Sequence, residues 1–254
     1  MSRARPLIAL GAGLLLAVVV AACSGDSNSS SGAISGSSRT LNLSESAARI
    51  STLKSFRFNA SASIDLGGQT PANAENALGN ALMMMLFGNL KDIKLEGAVV
   101  APDQMELKLS LGGQDFGFVQ IGDKAWAKYG GAWTPIDPGD LGLPAGGLDF
   151  GDFTAGALPA EVVEAAKVSS EKVNGMNTTR YSFDKAALQS LANDVGSGQD
   201  LETANLDVWI TEDGVPVKLT MKLKGKDDSG QESTVQLELV LKDLNSDIKI
   251  KAPM

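Results

Sequence analysis

Cys23 carries the only thiol of this 254-residue chain, and histidine is absent from it. Without histidine there can be no Ser-His-Asp or Cys-His nucleophile system, and no histidine-containing zinc or non-haem iron site. What remains for catalysis is a carboxylate pair or an oxygen-only metal site. The candidate pairs are Asp149 with Asp152 and Asp227 with Asp228, in glycine-rich or turn-like surroundings where acids are normally solvated. Asp137-Pro138-Gly139-Asp140 superficially suggests a calcium loop. It lacks the alternating acids and closing glutamate of an EF-hand, so it reads as a turn. Neither an enzymatic activity nor a cofactor or resident metal is expected.

The setting of Cys23 assigns its thiol a different chemistry. Arg3 and Arg5 precede an apolar run from Leu7 to Val20, and Ala21-Ala22 bring small side chains up to the cysteine. A basic n-region, an apolar h-region and small residues before a cleavage point make an export signal. The pattern resembles the lipobox, in which the thiol takes a diacylglyceryl group and the cysteine becomes the new N-terminus. The run is shorter than the ~20 residues a spanning helix needs, so removal is expected rather than retention. A single cysteine allows no internal disulfide, and an unpaired exported thiol needs another fate. Acylation supplies one. Several acyl chains (palmitate among them) would make the anchor stable, at ~0.8 kcal/mol per buried methylene.

Residues 1–22 are thus read as a signal peptide and residues 23–40 as a lipidated cysteine with a tether. The tether is Ser24-Gly25-Asp26-Ser27-Asn28-Ser29-Ser30-Ser31-Gly32 followed by Ser35-Gly36-Ser37-Ser38. Such a composition behaves as a flexible coil, with a reach of ~20–25 Å over about 17 residues. Residues 41–254 have the size of one domain with an ample core. The full chain carries 22 basic and 30 acidic side chains; loss of Arg3 and Arg5 leaves 20 against 30, a net charge of −10. Nucleic-acid binding, which needs a basic stripe, is not expected. Contact with the membrane should come through the anchor on Cys23 or through apolar surface, because anionic headgroups would repel the domain.

The elements follow from hydrophobic period. Residues 44–53 place Ala47, Ile50 and Leu53 at helical spacing behind an N-cap serine. From Phe56 the period becomes two: Phe56, Phe58, Ala60, Ala62, Ile64 and Leu66 alternate with Arg57, Asn59, Ser61, Ser63 and Asp65. The same alternation recurs at 93–99, 105–111, 215–223 and 235–241, each giving one dry and one wet face. Gly122-Asp123, Asn174-Gly175, Asp213-Gly214 and Asp228-Ser229-Gly230 are turn signals between such runs. Together they predict an antiparallel meander rather than βαβ units.

Three segments interrupt it. Residues 72–90 include Met83, Met84, Met85, Leu86 and Phe87 and are apolar on nearly every side, as in a helix that must be buried or meet something apolar. Residues 139–156 form a Gly/Leu/Phe loop without a period. Residues 185–193 read as a short helix, and a further one follows Pro159 around Val162-Val163. A sheet with one continuous apolar face must close into a barrel, pair with a second sheet or be capped by helices. The expected fold is α+β: a strongly curved antiparallel sheet, an unclosed half-barrel, with short helices packed on its concave face. Trp126, Trp133 and Trp209 are expected at sheet edges, as fluorescence reporters.

The order of parts resembles the LppX/LprG type of lipoprotein, in the wider superfamily of the lipoprotein carriers LolA and LolB. It is carried by the lipobox and tether, Lys54-Ser55-Phe56-Arg57-Phe58, and Gly122-Asp123-Lys124-Ala125-Trp126-Ala127-Lys128-Tyr129 with Trp133-Thr134. Tyr181-Ser182-Phe183 and the run from Val208-Trp209-Ile210-Thr211 through Gly214-Val215-Pro216-Val217-Lys218 complete it. It covers roughly residues 40–250 and implies a single LolA-like domain enclosing a cavity for acyl chains. The Met83–Phe87 stretch departs from it, and no headgroup site carries over. The implied function is binding of acyl lipids or glycolipids for transfer or placement within the cell envelope. The domain would then stand on the extracytoplasmic side, with an envelope transport protein as partner. The alternative is a non-catalytic interaction or sensor module of the same fold. The residues expected to line the lipid cavity are Phe56, Phe58, Ile64, Met83, Met84, Leu86, Phe87, Leu95, Leu107, Leu109, Leu219 and Met221.

Overall fold

The computed structural model describes residues 43–65, 92–137, 164–194, 200–226 and 232–253. Cys23 and the tether, the methionine-rich segment with Met83, Met84, Leu86 and Phe87, the 139–156 loop and the Val162-Val163 helix lie outside the described residues.

Two helices, α1 (Leu43–Ser51) and α2 (Lys185–Asp194), accompany eleven strands among the described residues. The first six strands are β1 (Ser55–Asp65), β2 (Ile93–Val100), β3 (Gln104–Leu111), β4 (Gln114–Ile121), β5 (Lys124–Tyr129) and β6 (Trp133–Ile136). The other five are β7 (Lys167–Val173), β8 (Met176–Phe183), β9 (Asp200–Thr211), β10 (Pro216–Lys226) and β11 (Glu232–Lys242). They form one sheet in the order β6-β5-β4-β3-β2-β1-β11-β10-β9-β8-β7. Two meanders, β1 to β6 and β7 to β11, are therefore joined where the first strand pairs antiparallel with the last. Among the described residues β6 and β7 are the edges and do not pair with each other, so the sheet is unclosed.

Turn chemistry sets the hairpins. Gly112-Gly113 between β3 and β4 and Asn174-Gly175 between β7 and β8 hold positive φ at both central positions, 56° and 83°, then 50° and 81°. Two-residue loops of this kind match the twist of the strands they join.

Register follows the dry face. Phe56, Phe58, Ala62 and Ile64 are buried while Arg57 is exposed, and the same phase buries Leu219 and Met221 while exposing Lys222. On β3, Leu107 and Leu109 are half-buried and Lys108 is exposed. A slip of one residue would reverse every side chain, so burial of one face fixes the pairing.

Both helices sit against this apolar face. Ile50 of α1 and Leu53 just after it, with Ala187 and Leu188 of α2, belong to the same buried cluster as Phe58, Val217, Leu223, Val235 and Leu241. α2 begins where Asp184 Oδ1 accepts from the amides of Ala186 and Ala187, an N-cap that satisfies two otherwise orphaned donors. The Asp184 carboxyl is held below its ordinary pKa, first by the Ala187 amide and then by Lys167. From the far side of α2, the Gln189 side chain accepts from the Leu201 amide at 2.9 Å and ties the helix to β9.

Candidate functional site

One row of side chains shows how the dry face is built. Tyr129, Phe116, Leu109, Leu95, Ala60, Leu239, Leu219, Val208, Tyr181 and Val168 stand opposite one another in register on ten successive strands, from β5 to β7. No polar residue interrupts the row. Its two ends, Tyr129 and Val168, are 63 % and 61 % exposed.

Cover divides this face into two zones. On β1 and β8 to β11, beneath α1 and α2, the face is a closed core, and Phe56, Phe58, Ile64, Leu219 and Met221 lie within it. On β2 to β4 the leucines of this face are half-buried, while Met105 and Phe118 at one end are buried. There Leu95 and Leu107 pack on the rim of the core, with Ile93 and Leu111, while Leu109 and Phe116 lie further out. Of the residues expected to line one cavity, the structure therefore puts five in packed interior and three, Leu95, Leu107 and Leu109, on the partly open strip. Met83, Met84, Leu86 and Phe87 lie outside the described residues. Partly open apolar area of this kind gains about 25 cal/mol per Å2 when covered, so it can hold an alkyl chain without polar contacts.

The groove that the described residues form lies on the opposite, polar face. It encloses about 690 Å3 and is lined by polar side chains such as Ser61, Ser63, Lys94, Asn205, Thr220 and Gln236. Its floor is a second cross-strand row, Lys94, Ser61, Glu238, Thr220 and Asp207, continuing to Ser182 and Lys167. Beside it Trp209 is 5 % exposed because two cations cover it. Arg180 stands 5.0 Å and Lys218 4.9 Å from the ring centroid, an arrangement favoured by the ring quadrupole. The indole nitrogen donates to Glu171 at 2.8 Å. Arg180 meets Asp207 with both Nε, at 3.1 Å, and Nη2, at 3.0 Å. That bidentate bond is the first cause of the raised pKa of Arg180. Every charge here is matched, so the arrangement holds Trp209 in place and offers no reactive group.

Trp126, Trp133 and Trp209 all point to the polar face, and Trp209 sits on β9, two strands in from the edge strand β7, rather than at an edge. The sequence expectation for Trp209 is thereby corrected: paired cations, not an edge position, accommodate it. Trp126 and Trp133 have a function that periodicity does not show. With Ala98, Val119, Val100 and Ile121 they make a small apolar patch on the polar face, and the C-terminal segment crosses it with Ile248 and Ile250 buried. Asn245 directs this segment: its Oδ1 accepts from the Lys54 amide at 2.8 Å, and its own amide donates to the Ser55 carbonyl at 2.7 Å. The alternation of Ile248 and Ile250 with Asp247, Lys249 and Lys251 is the sequence signal that could have found it.

Among the described residues no group of three or more acidic, cysteine or histidine side chains could hold a metal ion. No helix among them is long and apolar enough to cross a membrane.

No protein-family model matches the chain, and no curated protein matches it. Among solved structures the chain is similar to one described as the crystal structure of LprF from Mycobacterium bovis. The identity is 13 % and the TM-score 0.42, over 83 % of this chain and 94 % of that one.

Proposed function

We propose that this protein is a membrane-anchored lipoprotein that binds acyl-chain lipids or glycolipids on the apolar face of its sheet. The role is transfer or placement of those lipids within the cell envelope. The observation that carries the reading is the unbroken apolar row from Tyr129 to Val168, whose β2 to β4 part is only half-covered by protein. A contiguous apolar strip that protein covers only in part is the kind of surface an apolar ligand occupies. The Cys23 signal, the acidic balance and the absence of histidine support the same reading. In this reading residues 23–40 tether the domain outside the cytoplasm, the sheet is a half-barrel with helices on its concave side, and Met83, Met84, Leu86 and Phe87 contribute to the lipid site.

Organic extraction of the purified protein, followed by mass spectrometry, tests it. Co-purified acyl lipid in near-stoichiometric amount is expected. A stable protein partner and no lipid would instead favour an interaction module, whose docking site would be the polar groove.

A further inference from the structure

On the apolar side of β4, Gln120 stands between Met105 of β3 and Ala125 of β5. It is 4 % exposed. Its Nε2 donates to the Gly122 carbonyl at 3.3 Å. That bond fixes which end of the amide is oxygen, because the reverse assignment would set two acceptors against one another. The other end, Oε1, is a buried atom without a hydrogen-bond partner, and none other stands beside it among the described side chains. Buried amide oxygens are almost always satisfied, and one left unpaired opposes folding.

No hydrogen-bond donor of the described residues reaches this oxygen. Met105, Phe118 and Ala125 form a buried apolar cluster here, with Val99, Leu107 and Ile136 around it. The cluster runs directly into the half-open strip, since Leu107 and Phe118 are followed along their strands by Leu109 and Phe116. From the Met105–Gln120 pair to the Leu111–Gln114 pair is six residues of strand. At 3.3–3.4 Å per residue this is about 20 Å, the length of a long alkyl chain laid out straight.

We infer that Gln120 Oε1 is the acceptor for a hydroxyl borne by the bound lipid, so that the strip selects hydroxylated long chains. This rests on the lipid-binding reading above and names the ligand class within it. The hydroxyl end sits at the β4–β5 end of the sheet and the chain runs over Leu109 and Phe116. A hydroxyl suits the position because it donates a bond without bringing a charge into apolar surroundings. Met105, unbranched and adaptable, is the side chain that yields to admit it.

The purified, lipid-anchored protein is incubated in dilute detergent with equal amounts of hexadecan-1-ol and hexadecyl methyl ether, re-isolated, and its bound pair quantified by mass spectrometry. The two differ by one donor. The wild type is expected to enrich the alcohol about three- to tenfold, the range of one neutral hydrogen bond. Gln120→Leu should retain both equally, because it removes the acceptor. Equal retention by the wild type would overturn the inference and leave the lipid site standing. Retention of neither compound would overturn both. Enrichment that survives in Gln120→Leu would place the donor's partner elsewhere. Should Gln120→Leu not fold, the wild-type measurement decides alone: enrichment of the alcohol supports the inference, and equal retention overturns it.

Discussion

Phe58 of β1 and Gly97 of β2 stand opposite one another, and the phenyl ring lies over the glycine: a Cβ built on Gly97 would meet Phe58 Cζ at 2.6 Å and Cε1 at 2.7 Å. Phe58 is fully buried. The missing side chain is therefore the space that the ring fills, at the place where the closed core meets the half-open strip. Trp133 uses Gly117 in the same way on the polar face, where a Cβ would lie 2.6 Å from the indole. In both cases an aromatic ring replaces the cross-strand contact that glycine cannot make.

Gly97→Ala should destabilise the protein by about 1–3 kcal/mol through overpacking, and Phe58→Ala by about 3–5 kcal/mol through the cavity it leaves. The double variant should lose less than the sum, because removal of the ring frees most of the space. Some cost remains, since the Glu106 carbonyl also lies 2.5 Å from the built Cβ. Urea denaturation of the four proteins measures the coupling, and strict additivity would show that the ring does not occupy this space.

The C-terminal segment is a structural strap. Ile248→Ala should cost about 2–5 kcal/mol, as for other buried isoleucines. Tryptophan emission should also shift to the red as Trp126 and Trp133 gain water. Unchanged emission and stability would mean that the segment does not cover the patch.

Acid should loosen the β9–β10–β11 end of the sheet. Lys224 and Lys226 each pair with Glu202 and Glu232, at 2.7–3.2 Å. Lys224 first, and then Lys226, hold the Glu202 carboxyl at a pKa of about 2 against an ordinary 4.5, and Glu232 is lowered by the same pair. Carboxylates with depressed folded-state values stabilise the fold above their unfolded pKa. That contribution fades as pH falls from 4.5 towards about 2. The four groups are solvent-facing, so salt should weaken the effect. Urea midpoints recorded across this range should fall with a shallower slope in Glu202→Gln. Equal slopes would dissociate the cluster from acid stability.

Cys23→Ala should leave an uncleaved or mislocalised precursor, because no thioether can form. Membrane-bound protein of mature size from this variant would remove the lipoprotein assignment.

How much of this was legible depended on whether a strand had a dry face. β1, β3, β10 and β11 alternate cleanly, and Phe56, Phe58 and Arg57 fell on the faces their period dictates. α2, expected over 185–193, runs Lys185–Asp194, because Asp184 is a strong cap. β7 could not be read this way: six of its seven residues are exposed, so Lys-Val-Ser-Ser-Glu-Lys carries no alternation. β9 was masked by Trp209, a large aromatic on the polar face whose burial comes from Arg180 and Lys218 across two strand pairings. The polar groove was illegible for another reason. Alternation tells which way a side chain points but not how neighbouring strands twist against one another, and the groove along the polar row depends on that twist summed over many strands.

The central claim is that the open part of the apolar face, on β2 to β4, takes an alkyl chain. Because all three tryptophans face the other way, the direct measurement is titration of the chain beginning at Ser24 with a fluorescent polyene fatty acid. The proteins compared are wild type, Leu109→Asp and Lys108→Asp. Leu109 is half-buried on the strip and outside the closed core, whereas Lys108 points to the opposite face. Saturable binding by wild type and Lys108→Asp is expected, with at least tenfold weaker binding by Leu109→Asp, because an unpaired carboxylate there must be desolvated or protonated. Equal binding by all three folded proteins, or none by the wild type, would contradict the account.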